Sequence, residues 1–195
     1  MSLLPTPSSL AFSRDRFAVR ASRLAFVSRK FRFYDEGGNQ IAFIKLNDYR
    51  VLSSIDVLDG EGQQTILWIR ERVSRWPVTY DLFDAASADK IGALQYRPWK
   101  SLFREEWLIL DACGCEIGRL REMSLTVAFL HHFLILVPIK YGFYTGDNLV
   151  GTCRQNANPL MPRITFRFTV GSAKLDRRLA SVLAVPLLEY RKHDE

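Results

Sequence analysis

Phe31-Arg32-Phe33-Tyr34-Asp35, followed after Glu36-Gly37-Gly38-Asn39 by Gln40-Ile41-Ala42, sets the pattern for the whole chain. An alternating apolar run, a polar turn, then an apolar and a small residue spell a β-hairpin. The phrase returns as Tyr80-Asp81-Leu82-Phe83-Asp84 into Lys90-Ile91-Gly92, and as Trp107-Leu108-Ile109-Leu110-Asp111 into Glu116-Ile117-Gly118. A looser copy runs from Tyr141-Gly142-Phe143-Tyr144-Thr145 into Leu149-Val150-Gly151. One hairpin cannot bury its apolar face alone, so several must close on one another. A mainly β fold follows, a barrel or a sandwich.

Further strands are expected at Phe17–Arg20, Val51–Leu58, Thr65–Arg70 and Arg163–Phe168. Met123–Phe133 breaks the alternation and reads as a short helix or buried turn. The C-terminal exception is stronger. Asp176 is placed to cap a helix over about 176–190, and between Leu179 and Leu188 Ser181 is the only polar side chain. A helix apolar all round must be buried all round. It is too short to span a bilayer, which takes about 20 apolar residues, so it belongs inside the barrel. Pro186 should loosen its last turn by removing a donor to the Val182 carbonyl. Residues 1–13, with Pro5, Pro7 and four serines, read as a flexible leader, and 14–195 as one domain.

The chain has 195 residues, 48% hydrophobic and 25% charged, with a formal net charge of +6. That charge is N-terminal: residues 1–33 carry Arg14, Arg16, Arg20, Arg23, Arg29, Lys30 and Arg32 against Asp15 alone, while the remainder balances. A local basic segment favours phosphates of lipid or nucleic acid. Three cysteines, Cys113, Cys115 and Cys153, imply no disulfide framework and a reducing compartment. Met1–Leu10 lacks the basic and apolar regions of a secretory signal, so a cytoplasmic location, peripheral at a membrane, is expected.

No nucleophile elbow, phosphate-binding glycine loop or metalloprotease motif is present, so a non-catalytic protein without cofactor is expected. Cys113-Gly114-Cys115 lacks the second ligand pair that structural zinc needs, and the adjacent His131 and His132 diverge on a helix or a strand. No metal site is expected. The segment Arg97-Pro98-Trp99-Lys100-Ser101-Leu102-Phe103-Arg104 interleaves cations with aromatics, which suits an anionic headgroup at an interface. Anchoring aromatics with charges neutralised by Glu105 and Glu106 is its structural alternative. The candidate phosphate contacts are therefore Arg16, Arg20 and Arg23 with Arg97, Lys100 and Arg104.

Four stretches carry a family resemblance: Phe31–Ile41, Ile91–Arg97 with Lys100-Ser101 and Arg104, Ile117–Ser124, and Leu175–Ala180 leading into the apolar helix. In that order the chain resembles the LURP-one-related and phospholipid scramblase-like branch of the tubby C-terminal-like superfamily, over about residues 14–190. The resemblance implies a twelve-stranded barrel around a central helix. It implies no settled activity: tubby domains bind phosphoinositide headgroups at a basic surface, scramblases act on or associate with membrane phospholipid, and many LURP-one-like members have no assigned role. The proline-rich N-terminal region and the cysteine-rich run of scramblases have no counterpart here. Engagement of anionic phospholipid is thus the leading expectation. A protein-interaction barrel is the alternative, and a scramblase-type protein using Met123–Ile139 or the terminal helix as a membrane insert ranks lower. Nucleic acid is a partner that no recognition motif supports.

Overall fold

Each of the first three hairpin phrases folds around its aspartate. In the computed structural model, which describes residues 6–22, 29–46, 54–72, 77–97, 106–123, 138–156, 158, 161–169 and 175–189, Asp35 Oδ1 accepts the Asn39 amide at 2.8 Å. Asp111 Oδ1 accepts the Cys115 amide at 2.8 Å, and Asp59 repeats the turn with Gln63 at 2.8 Å. Asp84 uses the Ala86 amide at 2.9 Å. The carboxylate satisfies turn amides that neither strand can reach, which is why aspartate ends the phrase. Thr145 stands there in the fourth copy, and the turn shrinks to Gly146-Asp147 with Gly146 at φ +59°.

Twelve strands result: β1 (Arg16–Ser22), β2 (Arg29–Tyr34), β3 (Gln40–Leu46), β4 (Ser54–Asp59), β5 (Thr65–Arg72), β6 (Thr79–Asp84), β7 (Lys90–Tyr96), β8 (Glu106–Asp111), β9 (Glu116–Glu122), β10 (Lys140–Thr145), β11 (Asn148–Gln155) and β12 (Arg163–Phe168). They form one closed antiparallel barrel in sequence order, sealed where β12 pairs β1. The register shifts once in each hairpin, at Phe33/Tyr34, Val57/Leu58, Leu82/Phe83, Ile109/Leu110 and Phe143/Tyr144. Such bulges add the local twist that closure of a sheet requires.

The barrel is filled by its C-terminus. Asp176 caps α2 (Arg177–Val182), accepting the Arg178 amide at 2.9 Å, and α3 (Ala184–Glu189) follows. The single helix expected over 176–190 is therefore two, broken at Leu183. Pro186 cannot donate to the Val182 carbonyl, so the helix restarts at Ala184 and the proline falls in the first turn of α3, where its missing N–H costs little. Every residue from Leu179 to Leu188 is buried, as expected of an enclosed helix. Gly92, the small residue ending the second hairpin phrase, makes room for it. A Cβ on Gly92 would lie 2.3 Å from the Leu110 carbonyl oxygen and 2.8 Å from Leu179 Cδ1. Aromatic pairs fill the remaining space, Phe17 stacking on Phe166 at 4.7 Å and Tyr96 lying 5.0 Å from Trp107.

Residues 6–12 are not a free leader. Thr6 caps α1 (Pro7–Ala11), Ser8 is fully buried, and Phe12 packs edge-on against Phe33 at 5.6 Å. What the leader reading overlooked is a partner far away in sequence. Thr6 Oγ1 donates to Asp84 Oδ2 at 2.8 Å, Ser8 Oγ donates to the same oxygen, and Arg178 Nη1 reaches it at 3.0 Å. Arg178 Nη2 also pairs with Asp176 at 2.7 Å. One polar network thus ties α1, the β6–β7 turn and the start of the central helix together. The short helix expected at 123–133 lies outside the described residues beyond Met123, as do His131 and His132.

Candidate functional site

One small cavity lies in the interior among the described residues. The cavity beside Pro186 measures about 10 Å³ and is lined by Ile55, Ile69, Tyr80, Leu94, Val182 and Val185. That is at most the space of one water, with no polar partner to hold it. The outer surface is the larger candidate for recognition.

The outer wall divides into two arcs of opposite character. Six adjacent strands, β3, β2, β1, β12, β11 and β10, contain no Asp or Glu. Their outward positions carry Lys45, Lys30, Arg32, Arg16, Arg20, Arg163, Arg167, Arg154 and Lys140. The inward positions between them are Phe31, Phe33, Phe17, Val19, Ile164 and Phe166, all buried. Period-2 alternation therefore sets core and cations on opposite faces of the same strands.

Register then stacks the cations in rows. Arg20 stands opposite Arg163 on one side and Arg32 on the other. Arg16 opposes Arg167, Lys30 opposes Lys45, and Lys140 opposes Arg154. Side chains at directly opposed positions are about 5 Å apart at Cβ, and like charges there destabilise the sheet. Aromatic faces moderate this at two places: the Arg20 guanidinium lies over the Tyr34 ring at 4.9 Å, and that of Arg32 over Phe43 at 6.0 Å. Among the described residues, Arg16 lies 4.0 Å from Glu36, whereas Arg20, Lys30, Arg32, Lys45, Lys140, Arg154, Arg163 and Arg167 have no carboxylate within that distance. Asp15, Asp35, Glu36 and Asp147 lie outside the strands, next to β1, in the β2–β3 turn and in the β10–β11 turn, and Asp35 pairs with Arg14 and Asp15 with Arg177 at 2.6 Å.

The far arc is neutralised. Arg70 pairs with Asp56 at 3.1 Å and Arg121 with Glu106 at 3.4 Å. Asp81 holds both Arg72 at 2.7 Å and Lys90 at 2.8 Å. Burial pushes the Asp81 carboxyl up, but Arg72 and Lys90 outweigh it and keep the group below the usual aspartate range.

The sequence-derived candidates separate on this wall. Arg16 and Arg20 lie in the basic arc, both exposed. Arg97 follows β7, six strands from β1 around the ring of twelve, so it shares no surface with them. Its amide donates to the Glu106 carbonyl at 3.1 Å, extending the β7–β8 ladder. Arg23, Lys100 and Arg104 lie outside the described residues. Sequence reading missed Arg163, Arg167, Arg154 and Lys140, because only closure of β12 onto β1 brings them beside Arg16 and Arg20. Arg163 and Arg167 repeat the four-residue spacing of Arg16 and Arg20, which was the available signal.

Cys113 and Cys115 are exposed in the β8–β9 turn and Cys153 is buried. No group of three or more metal-ligating side chains occurs among the described residues. Nor is any helix there long and apolar enough to cross a membrane.

No family model and no curated protein matches the chain. Among solved structures it is similar to an X-ray structure of a protein from Arabidopsis thaliana. The two share 14% sequence identity and a TM-score of 0.55 over 98% of this chain and 99% of that one. At that identity the likeness shows a shared fold alone.

Proposed function

We propose that this chain is a non-catalytic binding module of the LURP-one-related type that engages anionic phospholipid headgroups through the β3-β2-β1-β12-β11-β10 wall. The observation that carries this reading is the arc itself, adjacent strands with cations at their outward positions and no acid. A convex wall with an exposed field suits an extended anionic surface, whereas a small metabolite would call for a concave pocket.

Co-sedimentation with neutral and anionic vesicles across a salt series tests it. A basic residue near an anionic surface contributes about 1 kcal/mol, so removing three arc cations together (Arg20, Arg163 and Arg167 to Gln) should weaken binding roughly a hundredfold. Binding should fade as salt shortens the reach of the field. Equal sedimentation with neutral vesicles, or none with anionic ones at low salt, would refute the reading and turn attention to a protein partner.

A further inference from the structure

We infer that Arg32, Arg20 and Arg163 form a discrete phosphomonoester site within the basic arc, a refinement that rests on the anion-binding reading above. The three arginines occupy directly opposed positions on three adjacent strands, β2, β1 and β12. Strands lie about 4.8 Å apart, so the row spans roughly 10 Å and one phosphate above Arg20 is within reach of both neighbours. Three properties separate this row from the rest of the arc. It is the place where a cation has a like charge on both sides. Its members are all arginine, whose planar fork matches phosphate oxygens two at a time, while the neighbouring pair Lys30–Lys45 offers point charges. Two of its guanidiniums lie on aromatic faces, Arg20 on Tyr34 and, on the β3 side, Arg32 on Phe43.

The surroundings fit the same ligand. Toward the next row lies the pair Ala18–Thr165, with Tyr34 opposite Ala18 and Arg154 opposite Thr165. Ala18 is buried there and Thr165 half-buried, so that row offers the phosphate the Thr165 hydroxyl. The Glu36 carboxylate lies beside Arg16, on the far side of that row, and none neighbours Arg20 or Arg163 among the described residues. A dianionic phosphomonoester therefore matches the row better than the single charge of a phosphodiester.

Three variants decide the matter. Arg20→Lys keeps the field of the arc but loses the fork, Arg163→Gln removes a charge within the row, and Lys140→Gln removes one outside it. Binding is measured by calorimetry with soluble inositol trisphosphate, and by co-sedimentation with phosphatidate and with phosphatidylserine vesicles. A discrete site predicts that Arg20→Lys and Arg163→Gln weaken the soluble ligand and phosphatidate by roughly tenfold or more, the scale of lost charge-assisted hydrogen bonds. Phosphatidylserine should change no more than about fivefold, as for any single arc cation. Arg163→Gln also relieves one like-charge contact, so its Tm without ligand should match or exceed that of the wild type.

If Arg20→Lys binds like wild type while Lys140→Gln weakens binding as much as Arg163→Gln, the attraction is diffuse. The site is then overturned and the membrane reading stands. If vesicles fail to bind but the soluble trisphosphate binds and is lost in Arg20→Lys, the site stands as one for a free phosphate and the membrane reading falls. If the soluble trisphosphate does not bind the wild type, the site is overturned.

Discussion

Replacing Asp84 with alanine removes the acceptor on which one end of the barrel is assembled. Thr6 Oγ1, Ser8 Oγ and Arg178 Nη1 converge on Oδ2, and the amides of Ala86 and Ser87 on Oδ1 at 2.9 and 3.4 Å. The Asp84 side chain is 4% exposed and that of Arg178 19%, so the variant strands a largely buried guanidinium and two hydroxyls. Breaking a buried ion pair from one side costs about 3–5 kcal/mol. Arg178 retains Asp176 at 2.7 Å, which places the expected loss near the lower bound, about 3 kcal/mol. For a chain of this length that corresponds to a fall in Tm of about 6–12 °C. Calorimetry with urea unfolding reads it, and the double variant Asp84→Ala/Arg178→Ala should lose less than the sum of the two single losses. A loss under about 1 kcal/mol, or two losses that simply add, would refute the view that this network locks α1 to the central helix.

The same contacts make the protein acid-sensitive. Burial pushes the Asp84 carboxyl up, but donors from Ser8, Thr6, Ala86 and Ser87 outweigh it and hold the group below its ordinary value of 3.8. The stability it supplies is complete above that value and is lost as pH falls below it toward the depressed folded value, so Asp84→Asn should flatten the acid limb of a stability profile. Leu183→Asp should not fold, because Leu183 is fully buried between α2 and α3 and an unpaired carboxylate there costs several kcal/mol; a soluble variant with cooperative unfolding would sink the central-helix account. Gly92→Ala should lower stability by about 1–3 kcal/mol, since its new Cβ would meet the Leu110 carbonyl at 2.3 Å and Leu179 at 2.8 Å; unchanged urea unfolding would contradict that packing.

What the sequence disclosed was what repeats locally. Aspartate-ended hairpin phrases, the small residue after each, and an apolar run under an Asp176 cap all report on neighbours a few residues away. The break at Leu183 was half legible, because Pro186 announced a lost donor but not the restart at Ala184. The packing of α1 was hidden, since Ser8 becomes informative only beside Asp84 and Arg178. The basic arc was hidden for the same reason. Arg16 and Arg20 were visible as a charged segment, but their union with Arg163 and Arg167 depends on the seam between the first and last strands. Arg97 joined the candidates on composition, and only ring order reveals that it faces away from them.

The claim tested most directly is that the β3-to-β10 wall is the surface that meets the anion. The native thiols provide an internal control, since Cys113 and Cys115 are exposed in the β8–β9 turn of the neutral arc and Cys153 is buried. Alkylation of a Thr165→Cys variant should slow on binding to anionic vesicles, while Cys113 and Cys115 react at their free rates. Protection of Cys113 and Cys115 with Thr165→Cys left reactive would contradict the account.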